Sequence, residues 1–115
     1  MARQHPGETP SSFAIEGAIE FLIKNCIEAE MLRNYFTIYI IPMINPDGVV
    51  FGNYRCNLND TDLNRIWLNS HKEFHDSVWY IRDLIKQINQ TNELCMIMHI
   101  QEFFNYKIKL FIIIK

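Results

Sequence analysis

Two short apolar runs, each preceded by a helical pattern, constrain the fold of this 115-residue chain more than any other feature. Residues 36–41 are mostly β-branched or aromatic on both faces, and residues 94–98 form a second apolar run. A strand with two apolar faces belongs in the middle of a sheet that is covered on both sides. The order helix, strand, long loop, helix, strand therefore predicts an α/β fold with a mostly parallel sheet and crossover helices.

Two amphipathic patterns predict the main helices. In the first, apolar or small residues recur at i, i+3, i+4 and i+7, and Pro10 starts the helix with Thr9 or Ser11 as its cap. That stripe consists of Ala14, Gly17, Ala18 and Phe21, and a short helical turn follows over residues 28–34. The second pattern consists of Val78, Ile81, Leu84, Ile85 and Ile88. Both helices are expected to cover the sheet.

Composition and charge exclude several classes of partner. The net charge of −2 gives no global basic surface, so nucleic acid is not an expected partner. No apolar run approaches the roughly 18 residues that span a bilayer, so no membrane partner is expected either. Three widely spaced cysteines (Cys26, Cys56 and Cys95) without a targeting segment predict reduced thiols and a cytoplasmic location.

A histidine and a glutamate near the start of the chain are candidate metal ligands. Pro6 and Gly7 supply a sharp turn between His5 and Glu8, so both side chains can reach one ion. His99 ends the second predicted strand, where sites of open α/β sheets gather. Three protein ligands with one open position are typical of a catalytic zinc. Spacing alone leaves a second interpretation open. In it, His5 and Glu8 form an HxxE pattern by chance, and His99 is an ordinary core or surface histidine.

The long polar segment after Pro42 carries candidate anion-binding residues. Roughly 25 residues without a clear period are long for a plain connection, and such loops are usually functional or disordered. Arg55 and Arg65 can each grip a carboxylate through a planar fork, and Asn64 can add a further hydrogen bond. On spacing alone, two exposed arginines on a solvated loop fit equally well. Residues 45–48 (Asn-Pro-Asp-Gly) have the composition of a β-turn.

Four segments taken together carry a specific likeness. They are residues 2–12 (ARQHPGETPSS), 41–49 (IPMINPDGV), 52–56 (GNYRC) and 62–67 (DLNRIW). In this order they resemble the zinc metallocarboxypeptidases, and more narrowly the cytosolic, tubulin-deglutamylating carboxypeptidases. The likeness is dense over residues 2–67 and looser through the helix and strand that lead to His99.

The resemblance implies a partial α/β/α zinc-carboxypeptidase fold, with a mostly parallel or mixed central sheet and one catalytic Zn²⁺. The positions that match the family's zinc ligands are His5, Glu8 and, by position only, His99, whose neighbours differ from the family pattern. Arg55 matches the catalytic arginine that polarises the scissile carbonyl and binds substrate. Asn64 and Arg65 match the pair that holds the substrate's C-terminal carboxylate.

The implied function is removal of C-terminal amino acids, glutamate above all, from protein tails such as those of glutamylated tubulin. The resemblance therefore also implies a cytoplasmic location, with the cytoskeleton as one expected site of action. Residues 1–102 are expected to be the N-terminal part of a truncated peptidase catalytic domain, and residues 103–115 an atypical apolar tail.

The glutamate that acts as the family's general base lies well downstream of the third ligand, and Glu102 is too near to match it. Weak or no activity is therefore expected. The site begins within five residues of Met1, so a truncated or misread gene product is expected, which sequencing of a full-length transcript would test. Two alternatives stay open: an inactive fragment that binds zinc or a protein tail, and an aspartoacylase-like zinc amidohydrolase.

Overall fold

The computed structural model describes residues 1–90 and 96–101. Over these residues the chain forms helices α1 (Pro10–Ile23), α2 (Ile27–Tyr35), α3 (Pro46–Phe51) and α4 (Asp76–Gln90), with a 3₁₀ turn at Leu63–Arg65. None of these helices is long and apolar enough to cross a membrane. Among the described residues, Cys26 and Cys56 are free cysteines. Cys95, Glu102 and the tail from residue 103 lie outside the described residues.

Helix α1 confirms the predicted start and only part of the predicted buried face. Pro10 opens the helix, and Thr9 precedes it without a side-chain capping bond. The buried positions are Ser11 and Ile15, whereas Phe21 is 43% exposed. The inward face of the helix is set by Ile15, which packs with Ala2 and Ile100 in a small cluster. Of the predicted stripe, Ala14 packs against this cluster, whereas Gly17 and Phe21 are exposed, so the stripe was right only in part.

Helix α2 packs against α1 and confirms the predicted second helical turn. Arg33 lies in its last turn and donates through Nη1 to the carbonyl oxygens of Leu22 and Lys24. These carbonyls end α1 and have no partner within that helix. The arginine therefore joins the end of one helix to the other.

The predicted strand at residues 36–41 is not a buried central strand in this structure. No strand is assigned anywhere in residues 1–90 or 96–101. Phe36 has extended backbone angles (φ −130°, ψ 138°), yet Tyr39 is 58% exposed. The prediction was wrong here because the backbone hydrogen bonds to neighbouring segments are too few to make a ladder. Of the second predicted strand, residues 96–98 are likewise not assigned as strand, and residues 94–95 lie outside the described residues.

Three extended segments nevertheless lie side by side. The Ala2 N–H donates to the Ile41 carbonyl at 3.0 Å, and the Ile44 N–H donates to the Ala2 carbonyl at 3.0 Å. On the other side, the Met1 nitrogen donates to the Met98 carbonyl at 2.6 Å, and the Ile100 N–H donates to the Met1 carbonyl at 2.8 Å. Both pairings run in the same chain direction, as in a parallel sheet. Residues 1–3 are thus the middle segment of a minimal parallel arrangement.

Helix α4 confirms its predicted apolar face and covers the main core. Val78 and Ile81 are buried with Ile44 and Leu63, and Ile85 packs against this cluster. The core therefore joins α4 to the residues just before α3 and to the 3₁₀ turn. Leu63 directly precedes Asn64 and Arg65, so this core also fixes the turn that carries two predicted site residues.

Residues 45–48 begin a helix rather than form an isolated β-turn. The Asn45 Oδ1 accepts the Gly48 N–H at 3.0 Å, and Pro46 occupies the first helical position of α3. This side-chain cap satisfies one of the donors that every helix start leaves open. The helix ends at Gly52, whose left-handed φ of +76° suits glycine. The β-turn interpretation was therefore wrong, although the same residue types explain both structures.

Candidate metal centre and carboxylate site

The turn at Pro6 and Gly7 brings His5 and Glu8 together, as the sequence predicted. The Glu8 N–H donates to the His5 carbonyl at 3.1 Å, which closes the turn. On the inner side, His5 Nδ1 lies 2.6 Å from Glu8 Oε1. His5 is only 1% exposed, so this pair is fixed inside the protein. The two side chains therefore present one nitrogen and one carboxylate from a single turn.

Glycine is required at the turn because of a close backbone approach. A Cβ built on Gly7 would lie 2.7 Å from Tyr54 Cδ2 and 2.8 Å from the Tyr54 carbonyl oxygen. That same oxygen accepts the Gly7 N–H at 2.8 Å. Because Tyr54 immediately precedes Arg55, this bond ties the His5–Glu8 turn to the segment that carries the predicted catalytic arginine.

The second nitrogen of His5 contacts a carboxylate that the sequence analysis did not assign. His5 Nε2 lies 3.0 Å from Asp62 Oδ1, which also accepts the Asn64 N–H at 2.9 Å. Asp62 Oδ2 accepts from Arg55 Nε at 2.8 Å. One aspartate therefore links His5, Arg55 and the turn that carries Asn64. The sequence feature that could have identified Asp62 is its position directly before Leu63-Asn64-Arg65, because a short polar side chain at such a position caps a helical turn.

These contacts shift the pKa values of His5 and Asp62 in opposite directions. Burial alone lowers the pKa of His5, but the carboxylates of Glu8 and Asp62 outweigh it, and the net pKa is raised. Burial alone raises the pKa of Asp62, but the bonds from His5, the Asn64 N–H and Arg55 outweigh it, and the net pKa is lowered. With Nε2 held by Asp62, the Nδ1 atom of His5 faces Glu8.

His99 brings a further imidazole towards this pair. Its ring meets Trp67 edge-on at 6.2 Å between centroids, and its Nε2 is buried without a hydrogen-bond partner. Burial and the nearby N-terminal amino group lower the pKa of His99 to about 4, whereas Glu8 acts to raise it. The histidine is therefore neutral at pH 7 and leaves one nitrogen unsatisfied. Gln101 Nε2 lies 3.1 Å from His5 Nδ1, beside the same pair.

The side chains at this site are of the types that bind zinc, but the distance between His5 and Glu8 is shorter than in a zinc site. A buried, unpartnered imidazole nitrogen is costly unless something binds it, and imidazole and carboxylate are ordinary zinc ligands. Two ligand atoms of one tetrahedral zinc lie roughly 3.3 Å apart, so the 2.6 Å His5–Glu8 contact would have to open. Within residues 1–90 and 96–101, no three His, Cys, Asp or Glu side chains converge on one point.

The predicted anion-binding residues lie at different depths. Arg55 is anchored through Nε to Asp62, and its side chain is 41% exposed. Asn64 contacts the same aspartate through its backbone. Arg65 is exposed, and its Nη1 donates to the neighbouring Asn64 carbonyl at 3.3 Å. The structure thus joins Arg55 and Asn64 to His5 and leaves Arg65 at the outer rim.

Comparison with known proteins assigns the family. Residues 1–114 match the sequence profile described as zinc carboxypeptidase. The chain belongs to the zinc carboxypeptidase family. Relatives include cytosolic carboxypeptidase 3 of Bos taurus, 43% identical over 83% of this chain. Human cytosolic carboxypeptidase 2 is 41% identical over the same share. The family predicted from the four sequence segments is confirmed.

Solved metallo-carboxypeptidases have a similar structure. A metallo-carboxypeptidase from Burkholderia cenocepacia matches 89% of this chain with a TM-score of 0.79 and 34% identity. A metallo-carboxypeptidase from Pseudomonas aeruginosa, in complex with (2-guanidinoethylmercapto)succinic acid, matches 75% with a TM-score of 0.66 and 38% identity. The predicted α/β class is thus supported by these neighbours, although only helices are assigned in the described part of this chain.

The chain spans only part of each relative. It covers 10% of the bovine protein and 10% of the human one. It covers 27% of the Burkholderia structure and 23% of the Pseudomonas one. The family membership therefore describes these 115 residues, and the activity of a whole family member is a separate question.

Proposed function

We propose that this chain carries the zinc-ligand and carboxylate-binding part of a metallocarboxypeptidase. His5, Glu8 and His99 would hold one zinc ion. The observation that supports this most directly is His5, buried between two carboxylates, with the unsatisfied Nε2 of His99 nearby. Zinc bound there would supply a polarised carbonyl and a water of lowered pKa.

The residues around the ligands have distinct roles in this proposal. Asp62 holds Nε2 of His5 and so turns Nδ1 towards the metal, as carboxylates behind zinc-bound histidines do. The same aspartate anchors Arg55, which leaves the rest of the guanidinium to polarise the scissile carbonyl and stabilise the oxyanion. Asn64 and Arg65 would bind the C-terminal carboxylate of the substrate.

We infer that the substrates are C-terminal tails of proteins, with terminal glutamate as the preferred residue and glutamylated tubulin as one candidate. The names of the relatives support a cytosolic carboxypeptidase and a cytoplasmic location. Action at the cytoskeleton would follow from a tubulin substrate. The family match favours this function over the aspartoacylase-like alternative.

The test of the metal site is zinc content of the purified chain. Wild type should hold one tightly bound zinc, and His99→Ala should lose it. His71→Ala is the matched control, because His71 is an exposed histidine at the turn before α4. Equal zinc in all three proteins, or none in wild type, would contradict the proposed site.

A second candidate is a fragment that binds zinc or a protein tail without turnover. One observation favours it: both carboxylates that contact His5 have other roles in the proposed site, Glu8 as a zinc ligand and Asp62 as the partner of His5 Nε2 and Arg55. Hydrolysis of a peptide ending in glutamate, with and without a chelator, separates the two candidates. Chelator-sensitive release of glutamate supports the peptidase, and zinc binding without release supports the binding fragment.

A further inference from the structure

Arg3 adopts an unusual backbone conformation just before the ligand turn. Its φ is +51°, in the left-handed region that non-glycine residues rarely occupy. Such a conformation persists only where the surrounding contacts enforce it, and it is concentrated at functional sites. Arg3 lies two residues before His5, so whatever enforces its conformation also sets where His5 begins.

The side chain of Arg3 bridges the ligand turn and α1. Its Nε donates to the Pro6 carbonyl at 2.8 Å, and its Nη1 donates to Ser12 Oγ at 2.7 Å. Pro6 stands between His5 and Glu8, and Ser12 is in the first turn of α1. One planar guanidinium therefore fixes the middle of the turn against the helix that follows it.

The backbone of Arg3 completes this frame. Its N–H donates to Ser11 Oγ at 3.2 Å, and the same hydroxyl donates to the Glu8 carbonyl at 2.7 Å. Ser11 is only 2% exposed. The Arg3 carbonyl accepts the Asn45 N–H at 3.2 Å, which joins the turn to α3 as well. Arg3 and its partner Ser11 thus hold the residues on both sides of the His5–Glu8 turn.

We propose that Arg3 is a positioning residue for the His5–Glu8 ligand pair. Its side chain and its left-handed backbone fix the turn from which both side chains project, so the pair only has to open from its 2.6 Å contact when a metal binds. This inference rests on the proposed zinc site. Partners behind the ligands of a metal site typically change its affinity by about 10–100-fold when they are removed, and the same range is expected for Arg3.

The test compares substitutions at two arginines that both bond backbone carbonyls. Arg3→Asn keeps a residue that tolerates the left-handed region but cannot reach Pro6 or Ser12, and Arg3→Lys keeps the charge and one donor group. Arg33→Asn is the matched control, because Arg33 also donates to carbonyl oxygens but lies at the end of α1. Zn²⁺ affinity is measured by chelator competition, the ligand field by the absorption spectrum of bound Co²⁺, and folding by thermal unfolding of the metal-free chain.

Arg3→Asn should lose about 10–100-fold in Zn²⁺ affinity and alter the Co²⁺ spectrum, with Arg3→Lys between it and wild type. Arg33→Asn should lower the unfolding temperature without changing either metal readout. Unchanged metal readouts in Arg3→Asn would overturn the inference. If Arg3→Asn fails to fold, Arg3→Lys and Ser12→Ala decide by the same readouts. A wild-type chain that binds neither metal would refute the proposed zinc site, and this inference with it.

Discussion

Replacing Asp62 by asparagine tests the link between His5 and Arg55 most directly. Asparagine retains an oxygen for the Asn64 N–H and for His5 Nε2, so the 3₁₀ turn and the ring orientation should survive. The negative charge behind His5 is lost. We therefore expect zinc affinity to fall, because a carboxylate behind a zinc-bound histidine raises its basicity.

The magnitude follows from the contacts that change. A hydrogen bond to a charged group contributes about 1.5–3 kcal/mol, against about 0.5–1.5 kcal/mol for a neutral bond. The His5–Asp62 bond therefore weakens by about 1–1.5 kcal/mol, which corresponds to roughly tenfold in affinity. The Arg55 ion pair adds little, since its side chain is 41% exposed and such pairs contribute about 0–1 kcal/mol.

The assay combines chelator competition with an NMR titration of His5 in the metal-free chain. The pKa of His5 should fall in Asp62→Asn, because Asp62 acts to raise it. Asp76→Asn is the control: its carboxylate also accepts a backbone N–H, from Ser77 at 2.7 Å, but at the start of α4. Zinc affinity and a His5 titration that both stay at wild-type values in Asp62→Asn would refute this reasoning.

Three further predictions concern folding, each followed by thermal or denaturant unfolding of the metal-free chain. The pKa of His99 is lowered from 6.5 to about 4, so the unfolded chain binds more protons between these values and stability should fall as the pH falls through this range. His99→Gln should make the free energy of unfolding depend less on pH in this range. An unchanged pH profile would contradict the attribution of this dependence to His99. Gly7→Ala should destabilise by about 1–3 kcal/mol through its clash with Tyr54, whereas Gly17→Ala, in open space on α1, should stabilise by about 0.5–1 kcal/mol. Leu63→Ala should cost about 2–5 kcal/mol by leaving a cavity under α4; a loss below 1 kcal/mol would mean that the core does not depend on it.

Local signals predicted the parts of the structure that depend on local contacts. The period of Val78 and Ile81 gave α4 its buried face, and Pro10 gave the start of α1. The turn between His5 and Glu8 followed from Pro6 and Gly7. These features need only helix geometry and backbone preference, which a short stretch of sequence contains.

Features that depend on distant partners could not be predicted in the same way. Residues 36–41 have strand composition, but a strand exists only where a neighbour pairs with it along its length. Asp62 caps the 3₁₀ turn locally, but its contact with His5 joins residues 57 positions apart. The buried face of α1 was set by Ala2 and Ile100, which no periodicity within the helix reveals.

The parallel pairing of the three extended segments explains why the candidate site forms where it does. Residues 1–3 lie between residues 41–45 and residues 98–100, and all three run in one direction. Their carboxyl ends therefore meet at one edge, which is where sites of parallel sheets gather. His5 follows the middle segment, His99 lies at the end of one neighbour, and Asn45 begins α3 at the end of the other. Residues 94 positions apart thus become neighbours through a few backbone bonds, so weakening the pairing of Met1 with Met98 and Ile100 should separate His99 from His5 before it disturbs the turn at Glu8.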